Sequence, residues 1–246
     1  MYKIVLIRHG ESEWNKKNLF AGWSDVDLTS LGVIQARDAG RILKAKNFSF
    51  DLCFTSLLKR AIKTSDLVLE EMDLMWIPVV KDWRLNERHY GNFQGKNRKD
   101  IAKKFGEEQL LLWRRSYSVR PPEIKGKELM KQKKDPRYSF FKKQILSEAL
   151  KDVIKRVVPF WEKDVVPNIK MGKRILIAAS GNSIRALTKY LNNMSEGEIL
   201  KINIPYAVPI VYELDKKFLV IKWYYLGDTK KIKKITKEIK NQEKAK

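Results

Sequence analysis

The chain has 246 residues, with 51 Lys and Arg against 29 Asp and Glu, a formal net charge of +22, one cysteine and two histidines. This length is ample for one sizeable domain, and a hydrophobic content of 43% is typical of a globular protein rather than a disordered one. The single Cys53 excludes a disulfide framework and a cysteine-cluster metal site. No apolar run reaches the roughly 20 residues of a membrane span, and residues 1–7 lack a signal-peptide pattern. We therefore expect a soluble intracellular protein that forms one domain over residues 1–246.

Two lysine-rich stretches carry much of the positive charge. Residues 124–143 and residues 230–246 each have a net charge of +6, which together is more than half of the total. Both stretches are largely polar, which favours solvated lysine in a loop and in a C-terminal tail (about residues 229–246). Nucleic-acid binding through the tail stays an alternative, although the chain has no zinc-finger, helix-turn-helix or aromatic single-strand-binding pattern.

The first third of the chain alternates predicted strands and helices. Residues 3–7 (KIVLI) form a short apolar run that predicts a buried strand, which stops at a polar RHGES segment. Apolar residues at helical spacing then predict a helix that Thr29 or Ser30 could cap. Residues 50–55 predict a second strand, which a helix over residues 57–70 follows directly.

The rest of the chain begins irregularly and then returns to the same alternation. Residues 83–143 contain most of the loop signals, whereas residues 148–161 predict an amphipathic helix that Pro159 kinks or stops. Residues 174–179 predict a third buried strand, and a polar loop over residues 180–183 ends it. The remaining predicted elements are a helix over 184–191 and strands over 208–214 and 218–223.

Strands that alternate with helices predict an α/β fold, with a mostly parallel sheet flanked by helices on both faces. The carboxyl ends of parallel strands meet at one edge, so residues 8–9, Arg60 and residues 180–182 should converge there. Arginine supplies permanent, multi-donor charge for phosphate oxygens, and a neutral imidazole such as that of His9 is a nucleophile. Gly10 allows close backbone approach. This pattern indicates a phosphate-handling site.

Several motifs indicate which family of phosphate-handling proteins the chain resembles. Residues 8–15 (RHGESEWN) resemble the N-terminal signature of the histidine phosphatase superfamily, and within it the chain resembles the cofactor-dependent phosphoglycerate mutases. The supporting stretches are residues 20–28 (FAGWSDVDL), 55–61 (TSLLKRA), 83–91 (WRLNERHYG), 112–117 (LWRRSY) and 211–215 (VYELD). The similarity runs from about Tyr2 to Asp228 and implies the three-layer α/β sandwich of those mutases.

The resemblance implies a metal-free, ping-pong phosphoryl exchange between 3-phosphoglycerate and 2-phosphoglycerate, primed by 2,3-bisphosphoglycerate. It further implies a cytoplasmic homodimer or homotetramer of glycolysis and gluconeogenesis, without a nucleic-acid or membrane partner. The implied catalytic residues are the phosphoryl carrier His9, the proton-transfer group Glu87, and Arg8 and Arg60 on the phosphoryl oxygens. The implied substrate contacts are Arg8, Ser12, Asn15, Ala21, Gly22, Arg60, Glu87, Tyr90, Arg98, Arg114, Arg115, Gly181 and Asn182.

The chain departs from the family pattern at several positions. Ser180 stands where the family has its second active-site histidine, and a hydroxyl brings no positive charge to phosphoryl oxygens. The other histidine, His89, already belongs to the NERHYG motif. Arg98 replaces a lysine, residues 205–207 (PYA) replace Pro-Thr-Gly, and residues 124–134 have no counterpart. Two functions therefore stay open: a mutase impaired at Ser180, and a degenerate relative that binds phosphorylated anions with little or no catalysis.

Overall fold

A six-stranded sheet lies at the centre of the fold. In this computed structural model, which describes residues 1–241, the strands are β1 (Tyr2–Arg8), β2 (Leu52–Thr55), β3 (Val79–Lys81), β4 (Ile175–Ala179), β5 (Pro209–Leu214) and β6 (Val220–Tyr225). Their order across the sheet is β3-β2-β4-β1-β5-β6. The β3–β2, β2–β4 and β4–β1 pairs are parallel, and β5 is antiparallel to both β1 and β6. The predicted mostly parallel α/β sheet is confirmed, with one reversed strand.

Helices pack on both faces of this sheet. Within residues 1–241 they are α1 (Glu13–Lys16), α2 (Ser30–Ala45), α3 (Lys59–Glu71), α4 (Arg98–Phe105), α5 (Glu107–Arg115), α6 (Gly126–Lys134), α7 (Leu150–Phe160), α8 (Val166–Lys170), α9 (Gly181–Leu191), α10 (Glu196–Lys201) and α11 (Thr229–Asn241). None of these helices is long and apolar enough to cross a membrane. Residues 242–246 of the predicted lysine-rich tail lie outside the described residues.

Side chains of β1 alternate between two hydrophobic cores, as the pleat of a strand requires. Ile4 and Leu6 belong to the core that α7 and α9 cover, whereas Val5 and Ile7 belong to the core that α2 and α3 cover. Each of these four residues is at most 1% exposed. Burial on both faces explains why residues 3–7 are a continuous apolar run rather than an alternating one.

Most predicted elements are present, with shifted ends. Thr29 caps α2 as predicted, since its side chain accepts a hydrogen bond from the backbone N–H of Gly32 (3.0 Å). Of the two outcomes predicted at Pro159, a kink or a stop, the stop does not occur, because α7 continues through a π-helical turn (Trp161–Val165) into α8. Proline leaves one carbonyl of the helical ladder unpaired, and widened turns commonly accommodate such interruptions.

The prediction that the polar segment after β4 is a loop is also wrong. Ser180 is the residue that precedes α9, and Gly181 is already its first residue. The start of a helix therefore faces the carboxyl edge of the sheet, where its backbone N–H groups favour bound anions.

Residues 83–143, where loop signals prevailed, contain three α-helices and three short 3-10 helices. The α-helices are α4, α5 and α6, of which α6 lies in the lysine-rich stretch over residues 124–143. The only residue that α6 buries is Gln132, so its sequence shows no apolar stripe from which a helix could be predicted. Strand β3 was missed because it has only three residues.

Candidate active site

One cavity lies at the carboxyl ends of β1 and β4. It is lined by Arg8, His9, Asn15, Ala21, Gly22, Arg60, Glu87, Tyr90, Arg98, Arg114, Arg115, Gly181, Asn182, Arg185, Ile202, Asn203 and Ile204. The set includes every residue that the resemblance implied as a substrate contact, except Ser12. Topology brings them together, because β4 lies between β1 and β2 and all three strands run the same way.

The segment that carries His9 is fixed by close backbone contacts. The His9 N–H donates to the carbonyl of Ala179 (3.1 Å), and the Gly10 N–H donates to Thr64 Oγ1 (3.1 Å). A Cβ at Gly10 would lie 2.3 Å from the carbonyl oxygen of Gly32, at the first turn of α2. Only glycine permits this approach. The RHG tripeptide is therefore held between β4, α2 and α3.

The hydrogen bonds of His9 determine which ring nitrogen is nucleophilic. Nδ1 lies 2.7 Å from the carbonyl oxygen of Gly10, and since a carbonyl only accepts, Nδ1 carries the proton. Nε2 then holds the lone pair, and it accepts a hydrogen bond from Arg60 Nε (3.2 Å). Burial, followed by the charges of Arg60 and Arg8, holds the pKa of His9 well below its usual value. The imidazole is therefore neutral at physiological pH.

Arg60 lies in the first turn of α3 and is fully buried. Besides the bond to His9, its NH1 donates to the carbonyl of Ser24 (2.9 Å) and its NH2 to the carbonyl of Gly22 (2.8 Å). Gly22 has a φ of +53°, which favours glycine there. Burial lowers the pKa of Arg60 to about 10, so the guanidinium stays charged at neutral pH beside the nucleophile.

Glu87 presents a carboxylate to the same cavity. Its Oε1 accepts from the backbone N–H of Arg88 (2.7 Å), the backbone N–H of Asn182 (3.3 Å) and Asn182 Nδ2 (2.7 Å). The amide of Asn182 also donates to the Tyr90 hydroxyl (3.1 Å). All three of these hydrogen bonds end at Oε1, and Oε2 accepts none of them. We call His9, Arg60 and Glu87 the histidine cluster.

Buried side chains from distant segments hold the backbone around Glu87. Arg156 of α7 is paired with Glu148 (2.7 Å), both being at most 6% exposed. Arg156 NH2 donates to the carbonyls of Asn86 (2.9 Å) and Glu87 (3.1 Å), and Trp23 Nε1 also donates to the carbonyl of Glu87 (2.6 Å). Removing one member of such a buried pair typically costs about 3–5 kcal/mol. Sequence reasoning assigned no role to Arg156 or Glu148, because neither lies in a recognised motif.

The lysine-rich stretch over residues 124–143 also supports this segment, which corrects its interpretation as a solvated loop. Gln132 Oε1 lies 2.7 Å from His89 Nε2, and Tyr138, which is 2% exposed, accepts a hydrogen bond from Asn86 Nδ2 (3.1 Å). His89 Nδ1 accepts from the Gly91 N–H (3.0 Å), so the proton of this ring is on Nε2. Burial lowers the pKa of His89, which lies outside the cavity.

Ser180 lies next to the nucleophile but does not line the cavity. The register of β1 and β4 pairs Arg8 with Ala179, which places Ser180 beside His9 at the ends of the two strands. Its Oγ is fully buried, makes no capping bond to α9, and has no hydrogen-bond partner among the described residues. A neutral hydroxyl without a partner among the described residues thus lies beside His9, where the motif resemblance implied a second histidine.

The departure at residues 205–207 brings an aromatic ring to Arg8. The guanidinium carbon of Arg8 lies 4.1 Å from the ring centre of Tyr206, which is 5% exposed, and Arg8 NH1 donates to the carbonyl of Ile204 (2.7 Å). Cation–π contacts of this kind stabilise by about 0.5–2 kcal/mol. The ring centres of Tyr206 and His9 are 6.3 Å apart. Tyr206 therefore packs on Arg8 and lies close to His9, but it does not line the cavity.

A second group of cations, the arginine cluster, consists of Arg98, Arg114, Arg115 and Arg185. Burial lowers the pKa of Arg98 and Arg185 to about 10, and that of Arg115 to about 9. All four line the same cavity, so their charges lie near one another, and neighbouring arginines lower each pKa further. All four stay protonated at neutral pH, and such a concentration of buried positive charge favours a bound anion.

Two positions differ from the expected substrate contacts. The Ser12 hydroxyl is fully buried and donates to Asn15 Oδ1 (2.7 Å), so Ser12 caps α1 and holds Asn15, which does line the cavity. Arg185 was missed, although its position three residues after Asn182 would have placed both on one helix face had the start of α9 been predicted.

Residues 1–241 contain no group of three or more His, Cys, Asp or Glu side chains that could hold a metal ion.

Comparison with known proteins identifies the family and the fold of the chain. Residues 4–226 match the family model described as histidine phosphatase superfamily (branch 1). Mycobacterial glucosyl-3-phosphoglycerate phosphatase in complex with VO3 is similar in fold, with a TM-score of 0.70 and 22% identity over 92% of this chain and 97% of that one. The same phosphatase with inorganic phosphate gives 0.68 and 21%, over 92% and 95%.

The α-ribazole phosphatase of Shigella flexneri has the same fold, with a TM-score of 0.67 and 21% identity over 92% of this chain and 96% of that one. At these identities the solved structures establish the fold alone. The match of the family model over residues 4–226 establishes more: the chain belongs to the histidine phosphatase superfamily, branch 1.

Proposed function

We propose that this protein interconverts 3-phosphoglycerate and 2-phosphoglycerate by phosphoryl transfer through His9. The observation that carries the proposal is a neutral histidine with its lone pair on Nε2, facing a cavity where arginines far outnumber carboxylates. The superfamily supports phosphohistidine chemistry, and the choice of mutase rests on the cavity and on the motif resemblance.

The charge of the cavity supports a compact substrate with two anionic groups. Six lining side chains are arginines, and Glu87 is the only carboxylate that lines the cavity in the described part of the chain. A phosphate monoester without further charge would neutralise the cations near His9 and leave the arginine cluster unmatched. A phosphoglycerate carries both a phosphate and a carboxylate, so it matches both groups of cations.

The chemistry assigned to the chain's own residues is an in-line displacement. From His9 that carries a phosphoryl group on Nε2, the free hydroxyl of 3-phosphoglycerate attacks phosphorus, the Glu87 carboxylate takes the hydroxyl proton, and Nε2 is released. In the second step Nε2 bonds to phosphorus of the other ester, and Glu87 returns the same proton to the ester oxygen that leaves, which yields 2-phosphoglycerate. Arg8 and Arg60 stabilise the charge on the transferring oxygens.

The proposal includes 2,3-bisphosphoglycerate, which when bound would supply the first phosphoryl group to His9. The six arginines that line the cavity, Arg8 and Arg98 among them, support a ligand with two phosphates. Arg8 and Arg60 would hold the phosphate nearer His9, and the arginine cluster would hold the other.

The proposal is tested by incubating the protein with 3-phosphoglycerate and 2,3-bisphosphoglycerate, with enolase to convert the product to phosphoenolpyruvate. We expect the rate of absorbance increase to exceed that of a His9→Ala control. Inorganic phosphate is measured in the same reaction, because related structures with this fold are phosphatases. Release of phosphate without phosphoenolpyruvate would contradict mutase activity and favour hydrolysis.

A second candidate function, binding of phosphorylated anions with little catalysis, is favoured by Ser180. Its unpaired, neutral hydroxyl takes the place of a charged donor beside His9. This candidate predicts that 2,3-bisphosphoglycerate raises the melting temperature, because the ligand binds the folded state. It also predicts that no acid-labile phosphate forms on His9. Phosphate on His9 that is lost in acid and absent from His9→Ala would contradict it.

A further inference from the structure

Arg185 is the one member of the arginine cluster that the motif resemblance does not include, and the proposed mechanism gives it no role of its own. It lies on α9, three residues after Asn182, and is 5% exposed. It lines the same cavity as His9 and Glu87. A buried arginine at such a place requires hydrogen-bond acceptors for its donors and an anion for its charge.

The guanidinium group of Arg185 orients the amide of Asn182. NH1 donates to Asn182 Oδ1 (3.0 Å), and NH2 donates to the backbone carbonyl of Ile199 (2.8 Å), at the neighbouring α10. With Oδ1 held by Arg185, the amide nitrogen faces Glu87 Oε1 (2.7 Å) and the Tyr90 hydroxyl (3.1 Å). A flipped amide would instead place two oxygens, Oδ1 and Glu87 Oε1, against each other.

The charge of Arg185 is not matched by the groups that it contacts. Both of its hydrogen-bond acceptors, an amide and a backbone carbonyl, are neutral. Its Nε is fully buried and has no hydrogen-bond partner among the described residues. The side chain thus has a fixed position in the cavity, and Glu87 is the only carboxylate among the described residues that line it, against six arginines.

We propose that Arg185 is a positioning and specificity residue. Through Asn182 it holds the Glu87 carboxylate in place, and through its own charge it selects ligands that carry a second anionic group besides the phosphate. The inference rests on the proposed function, because it takes phosphoglycerate as the ligand of the cavity. It extends that function by naming the residue that distinguishes a phosphoglycerate from a phosphate ester with a neutral remainder.

Calorimetric titration tests the specificity role without any need for turnover. The ligands are 3-phosphoglycerate and glycerol 3-phosphate, which lacks the carboxylate. We expect wild type to prefer 3-phosphoglycerate, Arg185→Met to reduce this preference about tenfold or more, and Arg185→Lys to retain part of it. The matched control is Arg174→Gln, whose arginine is 57% exposed in a surface ion pair with Asp51. Thermal unfolding establishes that each variant is folded.

The outcomes separate this inference from the proposed function. A preference for 3-phosphoglycerate that survives unchanged in folded Arg185→Met and Arg185→Lys would overturn the specificity role alone. A wild-type protein that binds neither ligand would overturn the proposed function and the inference together.

A double-mutant cycle tests the positioning role. The turnover number kcat is measured for Arg185→Met, Asn182→Ala and the double variant. If Arg185 acts on Glu87 through Asn182, the double variant should lose no more than the worse single variant, because the two residues form one unit. Losses that multiply in the double variant would overturn the positioning role.

Discussion

The histidine cluster and the arginine cluster face the same cavity but differ in how the protein satisfies their polar atoms. Both ring nitrogens of His9, all three nitrogens of Arg60 and Oε1 of Glu87 have partners within the protein. In the arginine cluster, Arg98 and Arg185 each retain a buried Nε without a partner among the described residues. The histidine cluster is therefore organised before any ligand arrives, whereas the arginine cluster depends on a ligand for its missing interactions.

We therefore expect the histidine cluster to determine the rate of the reaction and the arginine cluster to determine the affinity for the ligand. A preorganised group lowers the free energy of a transition state, because its orientation costs nothing at the moment of reaction. Unsatisfied cations bind the ground state and the transition state alike, and so set affinity and ligand choice. Substitutions in the two clusters should therefore change different kinetic constants.

The largest effect is expected from His9→Ala. Without the nucleophile we expect phosphoryl transfer to fall on the order of 10³-fold or more. Since the arginine cluster is untouched, affinity for 3-phosphoglycerate measured by calorimetry should change little. A variant that retains the wild-type rate, or that loses binding altogether while still folded, would contradict the separation of the two clusters.

Ser180→His should produce the opposite effect. Restoring a charged donor beside His9 should raise kcat on the order of 10²-fold, the contribution of one oxyanion-stabilising group. The matched control is Ser180→Ala, which removes a hydroxyl that has no partner and should leave the rate unchanged. The enolase-coupled rate measures both variants, and a folded Ser180→His protein without any gain would place the defect elsewhere.

Arg98→Met should affect binding rather than chemistry. The loss of one charge-assisted contact from the arginine cluster should raise KM about tenfold or more and leave kcat nearly unchanged. Arg41→Gln serves as a control, because that arginine is 58% exposed in a surface ion pair with Glu71. A large fall in kcat at unchanged KM would show that the arginine cluster takes part in the transfer step itself.

The last prediction concerns stability below neutral pH, not activity. Burial holds the pKa of both His9 and His89 below that of an unfolded histidine, so the unfolded state binds more protons. The free energy of unfolding should therefore fall as pH decreases from about 6.5 towards 5, by about 1.4 kcal/mol per pH unit for each histidine. Urea unfolding at several pH values measures this slope, and His9→Ala should roughly halve it. A stability independent of pH in this window would contradict neutral, buried histidines.

The sequence was sufficient to predict the parts of the fold where local pattern and burial agree. Residues 3–7 are apolar because both faces of β1 are covered, and Thr29 caps α2 because its side chain can reach the backbone N–H of Gly32. The motif resemblance also identified 13 of the 17 residues that line the cavity, and it missed Arg185, Ile202, Asn203 and Ile204.

Interactions between distant segments could not be predicted in the same way. Gln132 and Tyr138 lie in a stretch with a net charge of +6, and only the packing of residues 124–143 against the Glu87 segment shows that they are buried. Arg156 contacts Glu87 across 69 positions of the chain. Neither periodicity nor spacing contains that information.

The carbonyl of Gly10 has a consequence for the evolution of the site. When Nε2 bonds to phosphorus and Nδ1 keeps its proton, the imidazole ring becomes positively charged, and the carbonyl oxygen 2.7 Å from Nδ1 stabilises that charge. This oxygen belongs to the backbone, so no exchange of the side chain at position 10 can remove it. The contact between Nδ1 and this carbonyl therefore depends on the backbone conformation alone. It is retained when a nearby side chain, such as the one at position 180, is substituted.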